Sequence, residues 1–188
     1  MANTNTAGFG LIPAGTLGST PSTQGQGKYF IEAAYNADLF QGSSVRIVNG
    51  YLISAQASIT TSTIGVLNGI FYNAATTKKP TWANWYNQPV TPANSENITA
   101  FVLDNPFQLY VGAMDTAIPQ ADFFETYGLT VTAAGSEISG QSSSTITYGT
   151  RAATANAWRV IRTAEDPDNE DITQAYCSVV VVQNLNQI

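Results

Sequence analysis

The chain has 188 residues, of which 44% are hydrophobic and only 11% are charged, and its net charge is −6. That length suits one well-buried domain, while seven basic residues are too few for the clustered positive charge that free-standing nucleic-acid binding requires. No apolar run approaches the roughly 20 residues that cross a bilayer, and the N-terminus lacks the basic start and apolar core of a signal peptide, so we expect no membrane partner.

Two residue types bear on catalysis, because the chain contains no histidine and a single cysteine, Cys177. Histidine is the commonest general base and a common metal ligand, and one cysteine cannot form an intrachain disulfide or a thiolate cluster. Cys177 lies in the apolar sequence AYCSVVVV, where we interpret it as a small buried hydrophobic residue. We therefore expect no enzymatic activity, no cofactor and no metal.

Residues 1–28 are rich in Gly, Ser, Thr, Asn and Gln and contain few apolar side chains. Such a composition cannot bury enough surface to fold alone. We predict an extended N-terminal arm that docks on another surface, followed by a β-domain at residues 29–188. The residues expected to dock are Phe9, Leu11, Ile12, Pro13 and Leu17.

From residue 28 onward, short runs rich in Val, Ile, Thr, Tyr and Phe recur between turn residues, as in all-β proteins. These runs are residues 28–35, 43–50, 51–58, 63–72, 98–105, 107–114, 128–134, 144–149, 157–164 and 175–185. Asn49-Gly50 and Asn68-Gly69 are strong turn signals, and the best helix candidate is short, around residues 118–127. The pattern predicts an all-β barrel or sandwich with at most one short helix.

Two loops interrupt these runs. Residues 73–98 form a long loop that contains the aromatic residues Trp82, Trp85 and Tyr86, with Lys78 and Lys79 beside them. The aromatic residues could pack on the domain itself, contact another subunit or bind a ligand such as a sugar by stacking, and the lysines could pair with an acidic neighbour. Residues 135–145 form a second loop, which is rich in Gly and Ser and expected to be flexible.

The sequence EDPDNED at residues 165–171 holds five of the chain's thirteen acidic residues. Asp166, Asp168 and Glu170 alternate as calcium ligands do, but Pro167 stiffens the turn and the glycine of calcium loops is missing. Carboxylates crowded into one turn repel one another and stay hydrated, unlike the two carboxylates of a glycosidase. We interpret residues 165–171 as a solvated hairpin connection, with a weak cation site as the alternative.

The order of several short motifs resembles that of small capsid decoration proteins, also called cement proteins, of tailed bacteriophages. The motifs are Phe9-Gly10-Leu11-Ile12-Pro13, Tyr29-Phe30-Ile31, Leu39-Phe40-Gln41-Gly42, Ile64-Gly65-Val66, Thr77-Lys78-Lys79-Pro80 with Trp82, Asn84-Trp85-Tyr86, residues 100–106 and Pro167-Asp168-Asn169. The resemblance spans nearly the whole chain. Asn105 stands where the family more commonly has aspartate, and the family has no catalytic residue at that position.

The resemblance implies a virion structural protein, made in the host cytoplasm, that binds the outer surface of the assembled major capsid protein shell and stabilises it. We expect a symmetric oligomer, with a homotrimer as the first choice and a homodimer as the second. The residues expected to contact the capsid or a second copy are Phe9, Leu11, Ile12, Pro13, Leu17, Lys78, Lys79, Trp82, Trp85 and Tyr86. The rival hypothesis is a carbohydrate-binding module or adhesin that uses the Trp82, Trp85 and Tyr86 loop.

Overall fold

The computed structural model describes residues 2–18, 25–33, 35–55, 61–130 and 135–188. Within these ranges, twelve strands form two antiparallel sheets of six strands each, and the sheets pack together. The helical segments there are two single 3₁₀ turns, Ala93–Ser95 and Gln120–Asp122, and neither approaches the length or apolarity of a membrane-spanning helix. The predicted all-β class is therefore confirmed, and the architecture is a sandwich.

In chain order, the strands are β1 (Ile12–Thr16), β2 (Gly27–Ile31), β3 (Ser44–Val48), β4 (Tyr51–Ser54), β5 (Gly65–Asn73), β6 (Pro80–Ala83), β7 (Ile98–Leu103), β8 (Gln108–Ala113), β9 (Thr126–Leu129), β10 (Ile146–Ala152), β11 (Trp158–Thr163) and β12 (Ser178–Gln183). The first sheet has the order β1-β8-β12-β11-β9-β10. The second has the order β2-β7-β5-β3-β4, with β6 paired to β5.

Every predicted β-run overlaps a strand, whereas β1 and β6 lie outside the predicted runs. Both missed strands contain a proline, a residue that usually marks a strand edge or a loop. The parts of the predictions that lie outside the described residues are positions 1 and 19–24 of the arm and positions 34, 56–58 and 131–134 of the β-runs.

The two Asn-Gly sequences adopt different backbone structures. Asn49 and Gly50 have φ angles of 51° and 84° and join β3 to β4, which confirms the predicted turn. Asn68-Gly69 lies instead inside β5, where the register against β7 shifts between Leu67 and Gly69. The predicted turn at this position is wrong, because pairing with β7 carries the strand through a local irregularity of the kind that a β-bulge produces.

The predicted helix at residues 118–127 is also wrong. Only Gln120–Asp122 is helical, as one 3₁₀ turn that follows Pro119, and β9 begins at Thr126. Phe124 has a φ angle of 68°, a left-handed conformation that a right-handed helix does not contain. Thr126 pairs with both β10 and β11, so pairing within the sheet overrides the local helix pattern.

Each sheet supplies most of one apolar core, and Val66 of β5 joins the core of the first sheet. The first core includes Leu11, Tyr110, Met114, Tyr127, Ile146, Trp158, Val160, Cys177, Val179 and Val181. The second core includes Ile31, Leu39, Val45, Leu52, Leu67, Ile70, Tyr86, Ile98, Ala100 and Val102. Cys177 is buried as predicted, and burial raises the pKa of its thiol to about 11, so the thiol stays protonated at neutral pH.

The N-terminal segment is extended, but its described part is not separate from the domain. Strand β1 is an edge strand of the first sheet, and the Leu11 side chain, 1% exposed, belongs to the core of that sheet. The Leu11 amide also donates a hydrogen bond to the Gly42 carbonyl at 2.9 Å. Residues 2–18 therefore dock on their own chain. This corrects the expected boundary at residue 28 and removes Leu11 from the predicted partner contacts, because a buried side chain has no surface to offer.

The burial of Leu11 predicts that shortening its side chain lowers the free energy of unfolding. Leu11→Ala should lower the free energy of unfolding by about 2–5 kcal/mol, because it removes buried apolar surface and leaves a cavity. Leu17→Ala, at a position on the same segment that is 46% exposed, should change it by less than about 0.5 kcal/mol. Urea unfolding followed by near-UV circular dichroism measures both. Equally small effects would show that the N-terminal segment does not contribute to the core.

Candidate functional site

The structure separates the three aromatic residues that the sequence places in one loop. Trp82 lies on β6 and is exposed, whereas Tyr86 is fully buried in the second core and donates a hydrogen bond to the Tyr35 carbonyl at 2.8 Å. Trp85 is half-buried and stacks on Phe40, with ring centroids 4.9 Å apart. Tyr86 is therefore a core residue and not a contact residue, and Trp82 is the one of the three that faces solvent.

Trp82 belongs to a group of aromatic side chains on the outer face of the second sheet. Phe71 of β5 pairs with Trp82 of β6 on one side and with Thr99 of β7 on the other. Thr99 pairs in turn with Phe30 of β2, and Phe101 of β7 lies two residues along the strand from Thr99. Side chains alternate between the faces of a strand, so these residues share one face, which we call the aromatic face: Phe30, Phe71, Trp82 and Phe101.

Gly69 supports the arrangement of this face. A Cβ atom added at Gly69 would lie 2.5 Å from Cζ2 of Trp82, so the tryptophan ring occupies the space directly above the glycine. From there the ring reaches Phe101, with centroids 5.1 Å apart and ring planes inclined by 51°. Gly69 therefore leaves room for the Trp82 ring. This contact explains why a glycine occupies this strand position, where the sequence pattern predicted a turn.

One charged residue, Lys28, lies on the aromatic face beside Phe101. Lys28 pairs with Phe101 across the β2 and β7 ladder, and its Nζ lies 5.8 Å from the centroid of the Phe101 ring, within the range of a cation–π contact. The neighbouring Tyr29 donates a hydrogen bond to Asp104 at 2.7 Å. Burial, followed by that hydrogen bond, raises the pKa of Tyr29 to about 12, so its hydroxyl stays neutral.

Three of the four aromatic side chains are well exposed, since Phe30 is 52%, Phe71 40% and Trp82 53% exposed. Contiguous apolar patches are uncommon on monomeric proteins and usually mark an interaction site. Aromatic residues also dominate the energetics of protein interfaces, and their flat rings can stack on other apolar surfaces. The aromatic face is thus the candidate functional site.

The other predicted contact residues lie elsewhere. Ile12 and Pro13 of β1 are exposed at the edge of the first sheet, as is Leu17 directly after the strand. The Leu17 amide donates to the carbonyl of Phe107, which is also exposed, at 2.8 Å. Phe9 is half-buried in the segment before them. We call the exposed residues Ile12, Pro13, Leu17 and Phe107 the β1 edge surface. Lys78 and Lys79 are exposed in the turn between β5 and β6, close in sequence to Trp82.

The acidic stretch lies between β11 and β12, an antiparallel pair, so the predicted hairpin connection is confirmed. It does more than face water, because it holds the N-terminal segment. The buried Asn169 side chain accepts hydrogen bonds from the Thr4 hydroxyl at 3.0 Å and the Asn5 amide at 2.7 Å, and it donates to Asp166 at 2.8 Å. The Thr4 amide also donates to the Asp168 carbonyl at 3.1 Å. Across the described ranges, no group of three or more acidic or cysteine side chains is placed to hold a metal ion.

The sequence analysis missed Phe30, Phe71 and Phe101, although all three lie in predicted strands. In β2 the alternation of Lys28 and Phe30 with the buried side chains could have placed Phe30 outside. In β7 no such signal exists, because the outward and the inward positions of ITAFVL are both largely apolar.

Comparison with models of protein families, with curated proteins and with solved structures found no match for this chain.

The close contact between Gly69 and the Trp82 ring predicts that adding one methyl group at Gly69 lowers the stability of the fold. Gly69→Ala should displace the Trp82 ring and lower the free energy of unfolding by about 1–3 kcal/mol, as overpacking does. Gly149→Ala is a matched control, since a Cβ atom there would have no neighbour within 4 Å. Near-UV circular dichroism and urea unfolding report both changes. An unaltered Gly69→Ala spectrum with unaltered stability would contradict this placement of Trp82.

The contacts of Asn169 predict a second effect on stability. Asn169→Ala should cost about 1–3 kcal/mol, because it removes the acceptor of two part-buried hydrogen bonds, each contributing about 0.5–1.5 kcal/mol, and it should make the N-terminal segment easier to cleave by protease. Asp168→Ala, which changes an exposed side chain in the same connection, is the control. If the Asn169 variant resists protease as well as the wild type does, the connection at residues 165–171 does not hold the N-terminal segment.

Proposed function

We propose that this chain is a virion structural protein that binds the outer surface of an assembled capsid shell and stabilises it. The observation that supports this proposal best is the aromatic face, a group of four aromatic side chains, three of them exposed, across four strands of the second sheet. The resemblance of the motif order to phage decoration proteins supplies the class of partner, the major capsid protein.

The energetics of the aromatic face favour a large protein surface as its partner. Covering an exposed Phe or Trp side chain contributes about 1.5–3 kcal/mol. Several such side chains on one rigid sheet are covered together without ordering a loop, so little conformational entropy is lost on binding. A partner with an extended surface, such as a protein shell, covers all of them at once.

Stabilisation of the shell follows from mass action. A ligand that binds only the assembled form of a protein stabilises that form by its binding free energy, which increases with ligand concentration. On a lattice, each bound copy adds its own binding free energy to the stability of the shell. This effect requires binding alone and no catalytic group. The role that we propose is therefore structural and not enzymatic.

We propose a homotrimer as the form that binds the shell, with a homodimer as the alternative, because closed symmetry in the decorating protein matches the symmetry axes of a lattice. The exposed β1 edge surface lies on the other sheet from the aromatic face. It is available for contact between copies while the aromatic face is covered by the shell.

Shell binding by paired variants tests the proposal. Purified shells of the virus that encodes the chain are mixed with the wild type, Phe71→Ala or Phe107→Ala, and bound protein is measured after sedimentation. We expect Phe71→Ala to weaken binding at least tenfold, as interface aromatic residues do, and Phe107→Ala to bind like the wild type. Loss of binding by the Phe107 variant alone would assign shell contact to the β1 edge surface instead.

A carbohydrate-binding module remains the second candidate, and the Trp82 ring is the observation that favours it. The ring lies over Gly69 and remains half exposed, and a flat exposed ring of this kind can stack on a sugar as well as on a protein. A glycan array distinguishes the two functions. Strong binding of a glycan that Trp82→Ala abolishes, together with no binding of shells, would favour the carbohydrate function.

A further inference from the structure

The chain contains the dipeptide Asn-Gly in two different surroundings. Asn49-Gly50 forms the two-residue turn between β3 and β4, whereas Asn68-Gly69 lies inside β5. The side-chain amide of asparagine is thermolabile, because the backbone nitrogen of the next residue can attack it. Glycine has no Cβ atom to hinder that attack and leaves the backbone free to rotate. The two dipeptides therefore compare one reaction in two structural settings.

The first dipeptide is open to solvent. Asn49 and Gly50 are both exposed at the tip of the hairpin that β3 and β4 form. A Cβ atom added at Gly50 would have no neighbour within 4 Å, and the Gly50 amide donates no hydrogen bond to the backbone of any described residue. The tip can therefore change its backbone angles without displacing a packed side chain, and local openings of this kind need little free energy.

The second dipeptide is held in place by its neighbours. The Asn68 side chain accepts a hydrogen bond from the Gln41 side chain at 3.0 Å. Gly69 is buried, pairs with Phe101 of β7 and lies directly beneath the Trp82 ring. For the Gly69 nitrogen to reach the Asn68 side chain, this part of β5 would have to leave the sheet and displace that ring. The strand therefore suppresses the reaction at Asn68.

We propose that Asn49 is a site of spontaneous modification, at which the folded chain converts this asparagine to aspartate and isoaspartate while Asn68 stays intact. Solvent base removes the proton of the Gly50 amide, and the amide nitrogen attacks Cγ of Asn49. A bond forms between these two atoms, and the bond from Cγ to the side-chain nitrogen breaks. That nitrogen takes a proton from water and leaves as ammonia, so a cyclic succinimide joins residues 49 and 50.

Water then opens the succinimide at either of its two carbonyl carbons. Opening at Cγ restores the ordinary backbone and leaves aspartate at residue 49. Opening at the main-chain carbonyl carbon leaves isoaspartate, in which the backbone runs through Cγ. The net reaction consumes water and releases ammonia, and it needs no oxidant, reductant or cofactor. Either product replaces a neutral amide by a carboxylate and so makes the net charge of −6 more negative.

The two products affect the hairpin differently. Isoaspartate adds a carbon atom to the backbone of the turn, whereas aspartate does not. The length of a hairpin loop fixes the register of its strands, and here the turn aligns Val48 with Tyr51 and Ile47 with Leu52. The isoaspartate form should therefore exchange the amide hydrogens of residues 47–52 faster than the aspartate form. Equal exchange in the two separated forms would contradict this effect on the hairpin.

Incubation of the full chain in mildly alkaline buffer, below its unfolding temperature, tests the site. Peptide mapping by mass spectrometry measures the conversion of each asparagine, and methylation by an isoaspartyl methyltransferase measures isoaspartate. We expect Asn49 to convert at least about tenfold faster than Asn68, because a hairpin tip opens more easily than the interior of a paired strand. No conversion at Asn49, or conversion no faster than at Asn68, would overturn the proposal.

Two controls separate the effect of the fold from that of the sequence. In the chain unfolded by guanidinium, the two dipeptides should convert at similar rates, since each follows a branched aliphatic residue, Val48 or Leu67. An equally strong preference for Asn49 in the unfolded chain would overturn the role of the fold. The second control is Asn49→Gln, which keeps a side-chain amide but cannot form the five-membered ring, and it should remove most of the isoaspartate signal. An undiminished signal would place the reaction at another residue and overturn the proposal.

Discussion

The two-residue alternation of strands that bury one face in an apolar core is the constraint on which this structure depends. In the second sheet, Ile31, Ile70, Ile98, Ala100 and Val102 are buried beneath the sheet. Since successive side chains point to opposite faces, burial of these residues sends Phe30, Phe71 and Phe101 to the other face. The aromatic face is therefore fixed by the same register that builds the core, and a one-residue slip would exchange the two.

Small residues then decide how the aromatic side chains are arranged. Gly69 leaves room for the Trp82 ring against the sheet, and Gly140 and Gly135, on either side of the turn at residues 137–139, leave room for Trp85 and Phe40. In both places an aromatic ring occupies the space that a Cβ atom would otherwise fill. Glycine at these three positions thus lets aromatic rings pack closely against the backbone, inside β5 at Gly69 and on either side of the turn at residues 137–139.

The acidic connection at residues 165–171 holds the N-terminal segment in place, a role that its charge does not suggest. Among its carboxylates, Asp166 accepts a hydrogen bond from Asn169, Asp171 accepts one from Thr173, and Glu165 forms an exposed ion pair with Arg162, a kind of pair that contributes little to stability. Neutral groups bind the N-terminal segment, since the Asn169 side chain and backbone carbonyls accept hydrogen bonds from Thr4 and Asn5. The charged residues keep the connection hydrated while the amides fix the N-terminal segment beside β12.

Sequence reasoning could predict the all-β class because runs such as SVVVVQ and WRVIRT show strand composition directly. It could not find β1 or β6, because IPAGT and PTWA contain proline and lack a run of β-branched residues, and both form strands only by pairing with β8 and β5. It grouped Trp82, Trp85 and Tyr86 by proximity along the chain. Their separation depends on Gly69, Phe40 and Tyr35, which come from distant segments, and no local pattern reports such contacts.

The claim that the aromatic face is the surface covered by a shell is tested most directly by hydroxyl-radical footprinting of the chain, free and bound to purified shells. Exposed aromatic side chains oxidise readily, so Phe30, Phe71, Trp82 and Phe107 should all be modified in the free chain. On the shell, the account predicts that Phe30, Phe71 and Trp82 are protected while Phe107 stays reactive. Continued oxidation of Trp82 and Phe71 in the bound chain would contradict it.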